Sequence, residues 1–269
     1  MSVPDSYALP EPRGQVSIDL ATPARALAIG AHPDDVEFGC GGTLAKWADH
    51  GCEVFHLVLT DGSKGTWDPD VDRATLVATR QREQRDAARI VRGPGRGADD
   101  HVAFLGWIDG ELDSGLRQRW EVTHWIRRFA PDVVLGHDPW RRYRLHPDHR
   151  HAGFLTTDAI VAARDPKFFP EQHLAPHRPS HLLLWEADEA DHVERIDAHL
   201  ERKLHALLAH ESQYETTMHI PTSTSSTASS AGEAAQIASF RDALAERARD
   251  AGRLAGINAG EAFKHILKL

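Results

Sequence analysis

Apolar residues in this chain recur in short blocks, and charged stretches of helical spacing separate them. The first block, Ala26-Leu27-Ala28-Ile29 within residues 25–31, is bounded by Pro23 and by His32-Pro33. That length and those flanks predict a buried strand. Leu44, Ala45, Trp47 and Ala48 follow Gly41-Gly42-Thr43 at helical spacing, with Gly51 placed as a helix C-cap. A second buried strand is predicted over 52–60, then a polar loop over 61–70. An amphipathic helix over 74–91 follows, closed by Gly93-Pro94-Gly95.

The alternation continues with a strand over 102–105, a helix over 116–129, a strand over 132–136 and a helix from His146-Pro147 to about residue 164. This order predicts an α/β fold: a three-layer, Rossmann-like, mostly parallel sheet with helices on both faces. Ligands of such sheets bind beyond the carboxyl ends of the strands. The loops after Ala31, Thr60, Leu105 and Gly136 are therefore expected to meet at one edge. Further strands are predicted over 182–186 and 193–196, and helices over 197–210 and 233–255. A Ser/Thr-rich loop at 222–230 lies between the last two helices. With no internal repeat and no clear linker, one domain is expected over 1–269, with 1–22 an N-terminal extension and 214–269 a C-terminal portion.

Composition narrows the partners. A net charge of −9 on 269 residues argues against nucleic acid or an anionic membrane, since both require a positive field. No apolar run approaches a membrane span, and the charged N-terminus does not read as a signal peptide. Cys40 and Cys52 form no disulfide framework. These features predict a cytoplasmic protein acting on a small molecule. Self-association into a homo-oligomer stays open.

The 18 histidines matter only by position. After the first strand comes His32-Pro33-Asp34-Asp35-Val36-Glu37. Its imidazole and carboxylates are the nitrogen and oxygen donors that zinc takes, three of them in a catalytic site with a fourth position for water. Alternatively, Asp34 or Asp35 simply caps the following helix. After the fourth strand comes His146-Pro147-Asp148-His149. Pro147 suits a first helical position, which puts two imidazoles on one face; an ordinary helix start is again the plain alternative. Both motifs fall on the same edge of one sheet, so His32, Asp35 and His149 can converge. Asp34 is then free to act as a base toward a metal-activated water. A protonated His146, oriented by Asp148, can stabilise an oxyanion.

The two motifs together resemble the PIG-L/LmbE-like N-acetylglucosaminyl deacetylases, a family that includes mycothiol- and bacillithiol-pathway enzymes. The resemblance extends over Gly39 to Leu44, Thr60-Asp61-Gly62, Arg80 with Glu83, Phe104-Leu105-Gly106, Asp109-Gly110-Glu111-Leu112, Pro131-Asp132-Val133-Val134 and His210-Glu211-Ser212-Gln213. A weaker echo stands at Gly260-Glu261-Ala262-Phe263. It implies His32, Asp35 and His149 as zinc ligands, Asp34 as general base, His146 as oxyanion partner and Asp148 as its orienting group. The implied reaction is zinc-dependent removal of an N-acetyl group from an amino-sugar conjugate, with zinc or iron as the metal in the cell.

On the substrate side the resemblance offers Arg80. The plain alternative is a solvated charge on an exposed helix face, paired with Glu83 or Gln84. Asp109 can bind a sugar hydroxyl or serve a turn beside Gly110. Tyr143 stands one residue further upstream than the tyrosine of the mycothiol-pathway enzymes. Trp67, Trp107 and Trp140 can wall a crevice or pack inside. An amidase of a larger conjugate and a non-catalytic metal- or sugar-binding protein are the competing functions. A nucleotide-binding protein would need Gly-x-Gly-x-x-Gly where this chain has His-Pro-Asp-Asp.

Overall fold

Each apolar block forms a strand. In chain order the elements are β1 (Ser17–Ile18), β2 (Arg25–Gly30), α1 (Asp35–Asp49), β3 (Glu53–Thr60), α2 (Arg73–Arg92), β4 (Val102–Trp107) and α3 (Leu116–Phe129). They continue with β5 (Val133–His137), α4 (Pro147–Arg164), β6 (His181–Trp185), β7 (His192–Arg195), α5 (Leu200–Leu208), α6 (Ser230–Arg253) and β8 (Gly260–Leu267). This is a computed structural model, and it describes residues 14–95, 101–220 and 230–269. The predicted Ser/Thr-rich loop lies, through residue 229, outside the described residues, as do residues 1–13 of the N-terminal extension.

The strands form one sheet in the order β1-β7-β8-β6-β5-β2-β3-β4. Central β2 pairs in parallel with both β3 and β5. From β2 the chain winds outward through β3 and β4, then returns to β5 and winds the other way to β6. Such a reversal opens a crevice at the carboxyl ends of the two middle strands. The first motif leaves β2 and the second follows β5, so the winding alone brings both to that crevice.

Strand β2 is apolar without alternation because both of its faces are covered, as parallel sheets require. Leu27 and Ile29 pack with Val122, Ile126, Leu155 and Ala159 of α3 and α4. Ala26 and Ala28 pack on the opposite face with Val36, Leu44 and Trp47 of α1 and Ala87 and Val91 of α2.

Two elements differ from the pattern-based expectation. The first helix starts at Asp35, ahead of Gly41, and breaks at Cys40 (φ −149°) before resuming. The break frees the N–H groups of Gly42 and Thr43, which donate to the Glu261 carboxylate at 3.0 and 2.7 Å. Glu261 belongs to β8, a strand that the hydrophobic pattern does not announce. It runs antiparallel between β6 and β7, the exception in an otherwise parallel sheet. Ser17–Ile18, within the expected extension, pairs with β7.

Helix α4, which carries the second motif, lies against the backbone that leaves β5. A Cβ on Gly153 would stand 2.7 Å from the His137 carbonyl oxygen and 2.8 Å from the Pro139 nitrogen. Gly153→Ala is therefore expected to push the helix off its seat, at a cost of about 1–3 kcal/mol. Because His149 sits one turn earlier on the same helix, metal affinity should fall with stability. Thermal melts and a zinc titration on one preparation check both.

Candidate metal centre

The turn between β2 and α1 carries the first motif in a strained form: Asp34 has φ +106°, a value that side-chain-bearing residues rarely adopt. Neither capping alternative describes the first motif. The Asp34 side chain makes no cap hydrogen bond, and the Asp35 Oδ2 instead accepts the His32 backbone N–H at 2.7 Å. At the second motif, Pro147 opens α4 with His146 at the N-cap, again without a side-chain cap bond.

The two turns bring three donors together. His32 Nδ1 lies 3.2 Å from His149 Nε2. Asp35 Oδ1 lies 3.3 Å from His149 Nε2, and its Oδ2 lies 3.4 Å from His32 Nδ1. A tetrahedral ion with bonds of about 2.0–2.1 Å sets its ligands about 3.3 Å apart, and the His32 Nδ1–His149 Nε2 and His149 Nε2–Asp35 Oδ1 separations match that length. His32 and Asp35 are buried and His149 is half-buried.

The charges around the triangle favour a cation. His32 Nε2 faces Asp148 Oδ2 at 3.1 Å and Asp109 Oδ1 at 3.3 Å. Although burial opposes it, Asp109, Asp148 and Asp35 raise the His32 pKa well above the ordinary imidazole value. With Nε2–H given to the carboxylates, Nδ1 offers its lone pair to the triangle, an arrangement common to metal-binding histidines. Burial, against the pull of Asp35, holds His149 down at about 4, so its ring is neutral, as a ligand must be.

Asp148 departs from the predicted role. Its carboxylate hydrogen-bonds His32 and accepts the Gly110 N–H at 2.6 Å and the Leu112 N–H at 3.2 Å. It thus orients a candidate ligand, and no hydrogen bond joins it to His146 among the described residues. Asp109, expected at the substrate, helps to orient the same ring and also accepts the Lys64 N–H at 3.1 Å. His146 is exposed at the rim, its ring 4.6 Å from that of His32 and stacked 4.7 Å from that of His149. Burial, reinforced by His32, lowers its pKa. That shift favours a neutral ring, which offers an N–H, over the expected protonated form.

Asp34 sits beside the triangle with a raised pKa. Burial and the neighbouring Asp35 push it up to about 6, against the pull of Arg80. Arg80 is not the solvated charge that its helix suggests. It is 2% exposed, donating to the carbonyls of Pro33 at 2.6 Å and Gly62 at 2.9 Å, with Asp34 Oδ2 at 3.4 Å. Gly62 and Gly65 leave no room for a Cβ beside its guanidinium, so the loop closes over it. Beneath Asp34, its N–H donates to Gln84 Oε1 at 2.9 Å, and Gln84 Nε2 donates to Glu37 Oε1 at 2.8 Å. Although burial opposes it, His210 and His56 hold Glu37 at about 2.

The aromatic candidates divide. Tyr143 is 92% exposed and Trp67 77% exposed, and neither contacts the triangle. Trp140 is also exposed. Trp107 packs against the core and donates to Glu121 Oε2 at 2.7 Å. The motifs do not include His137, whose Nε2 lies 3.2 Å from Asp35 Oδ2. One signal marks it in the sequence: a polar residue at the carboxyl end of a buried strand beside the switch point.

The comparisons with known proteins decide the family. The model of the PIG-L family, GlcNAc-PI de-N-acetylase, matches residues 27–160. Diacetylchitobiose deacetylase of Thermococcus kodakarensis is 36% identical over 193 residues, 71% of this chain and 70% of that protein. This chain is a member of the PIG-L family. Another relative is the 1D-myo-inositol 2-acetamido-2-deoxy-alpha-D-glucopyranoside deacetylase of Rhodococcus erythropolis, 31% identical over 53% of this chain. The chain spans about half of that relative's length, 55%. Among solved structures, N,N'-diacetylchitobiose deacetylase from Pyrococcus horikoshii, in complex with its inhibitor, superposes with a TM-score of 0.77. It is 28% identical, and the match covers 91% of this chain and 84% of that one. Among the described residues no helix is long and apolar enough to cross a membrane.

Proposed function

We propose that this member of the PIG-L family is a zinc-dependent hydrolase that removes an N-acetyl group from an amino-sugar conjugate of the N-acetylglucosamine type. The observation that carries the reading is the convergence of His32 Nδ1, His149 Nε2 and the Asp35 carboxylate, each within 3.2–3.4 Å of the next through one or other Asp35 oxygen, with Asp34 beside it. His32, Asp35 and His149 would hold the ion. When bound, zinc supplies Lewis acidity, lowering the pKa of water and polarising the amide carbonyl.

This chain's own groups do the rest. Asp34 takes the proton of the attacking water as its oxygen adds to the amide carbon. The neutral His146 N–H stabilises the charge that develops on the carbonyl oxygen. Asp34 then returns the proton to the nitrogen as the C–N bond breaks, leaving acetate and a free amine. A carboxyl with a pKa near 6 suits both proton transfers, because neither is steeply uphill near neutral pH. Asp109 and Asp148 keep His32 in one tautomer, and Arg80 fixes the turn that presents Asp34. Tyr143, Trp67 and Trp140 stand at the surface where a sugar's apolar face can stack.

Amine release from a panel of N-acetylglucosamine conjugates tests the reading, run with zinc and with a chelated control. Release from at least one sugar conjugate that stops on chelation is the expected result. If protein carrying one zinc per chain releases amine only from larger, non-sugar amides, the substrate reading is wrong and an amidase takes its place.

A further inference from the structure

His137 ends β5 with its ring buried and stacked on that of His149, centroids 4.4 Å apart. Its Nε2 is 3.2 Å from Asp35 Oδ2, so by distance alone it could join Asp35 and His149 around an ion. Its other nitrogen speaks against that. The Trp185 indole N–H donates to His137 Nδ1 at 3.0 Å, and Arg144 Nη2 lies 3.3 Å from the same atom. An indole and a guanidinium can only donate. Nδ1 is therefore the lone-pair nitrogen, and the ring proton sits on Nε2. Glu186, the carboxylate nearest Nδ1, is 3.8 Å away, beyond a hydrogen bond, and is paired with Arg141 and Arg144. Although burial opposes it, Asp35 and Glu186 favour a second proton on the ring. That proton would have to sit on Nδ1, against both donors.

An Nε2 that carries a proton has no lone pair for a metal, and its nearest acceptor is Asp35. The same Oδ2 accepts the His32 backbone N–H at 2.7 Å, while Oδ1 faces His149 Nε2 at 3.3 Å. We propose that His137 is a positioning residue, not a ligand: its Nε2–H and the His32 N–H together occupy Asp35 Oδ2, leaving Oδ1 as the oxygen that meets the metal. Trp185 and Arg144 are the second link, because their N–H groups fix the tautomer that makes His137 a donor. The inference rests on the metal reading above.

The test strips the full chain of metal and titrates zinc against a chromophoric chelator, with X-ray absorption to count imidazoles on the bound ion. His137→Phe is expected to keep one zinc per chain and two imidazoles on it, with affinity about 10–100-fold weaker. His137→Gln, whose amide N–H reaches toward the same oxygen, should recover most of that loss. Three imidazoles in the wild type, falling to two in His137→Phe, would overturn the proposal and make His137 a ligand. Unchanged affinity in folded His137→Phe would reduce it to packing. Should His137→Phe not fold, Trp185→Phe combined with Arg144→Met decides: it leaves the ring in place without either donor to Nδ1, and affinity equal to wild type would sink the proposal. A wild type that takes up no zinc would overturn the metal reading as well, whereas the other adverse results touch only His137.

Discussion

Replacing Asp34 by Asn should lower turnover by about 10²–10⁴-fold, the usual worth of a positioned general base, while zinc stays bound. Asn keeps the shape of the side chain and an oxygen for Arg80, but it can neither take the proton of water nor return it to the amine. The same variant should melt higher than wild type when both are metal-free. Asp34 is pushed up to about 6 from an ordinary value of 3.8, so its charged form costs the fold up to about 3 kcal/mol at neutral pH. The raised value means that the folded chain holds this proton more tightly than the unfolded one. The penalty is therefore absent below about pH 4, grows as pH rises through 4 to 6, and is complete above. Asp34→Asn removes that pH-dependent part, so the two stability curves should part through this window and run parallel above it. Urea midpoints of the metal-free pair from pH 4 to 8 measure the difference. A variant that turns over normally with zinc bound would exclude Asp34 as the base.

The second large effect is expected at the break in α1. Glu261→Ala should destabilise the protein by about 3–5 kcal/mol, the cost of leaving one half of a buried ion pair alone. Its Oε1 accepts from Lys203 Nζ at 2.6 Å and its Oε2 from Thr43 Oγ1 at 2.5 Å, besides the two N–H groups freed by the break in α1. Removing it strands a buried ammonium and two helix N–H groups at once. Among the described residues Lys203 then keeps the Phe38 carbonyl at 2.7 Å. Glu261→Gln should lose less, since the amide oxygen can still accept. In a double-mutant cycle, Lys203→Met should cost far less in the Glu261→Gln background than alone. Denaturant midpoints give each value. Additive losses would mean that the pair is not coupled and that the break in α1 is held by something else.

How far the chain can be read follows from what each residue touches. Strands β2, β3 and β5 are legible because they are buried on both faces, and residue choice there answers only to the core. The convergence of His32, Asp35 and His149 follows from strand order and needs no side-chain detail. Strand β8 is hidden because its charges read as solvent-facing: Glu261 in fact meets buried Lys203, while Lys264 pairs with Asp191 at the surface. Adjacency along the chain suggests His146 as the partner of Asp148, but space assigns it another. At the start of a helix, side chains two apart point to different sides, and the Gly110 and Leu112 N–H groups draw this carboxylate to His32. Arg80 lies on the same helical face as Leu76, Ala87 and Val91; its charge alone makes it read as exposed, and the Pro33 and Gly62 carbonyls take its guanidinium inside.

Strand β8 also fixes when the sheet can be finished. Strands β6 and β7 meet only through it, yet it comes last in chain order. As the polypeptide is synthesised, β2 to β6 can assemble with α1 to α4 while β6 still shows an unpaired edge. That edge carries Leu182, Leu183 and Leu184, and open apolar edges recruit other strands. A chain extending only as far as β7 would leave that edge open to other strands until β8 pairs with it.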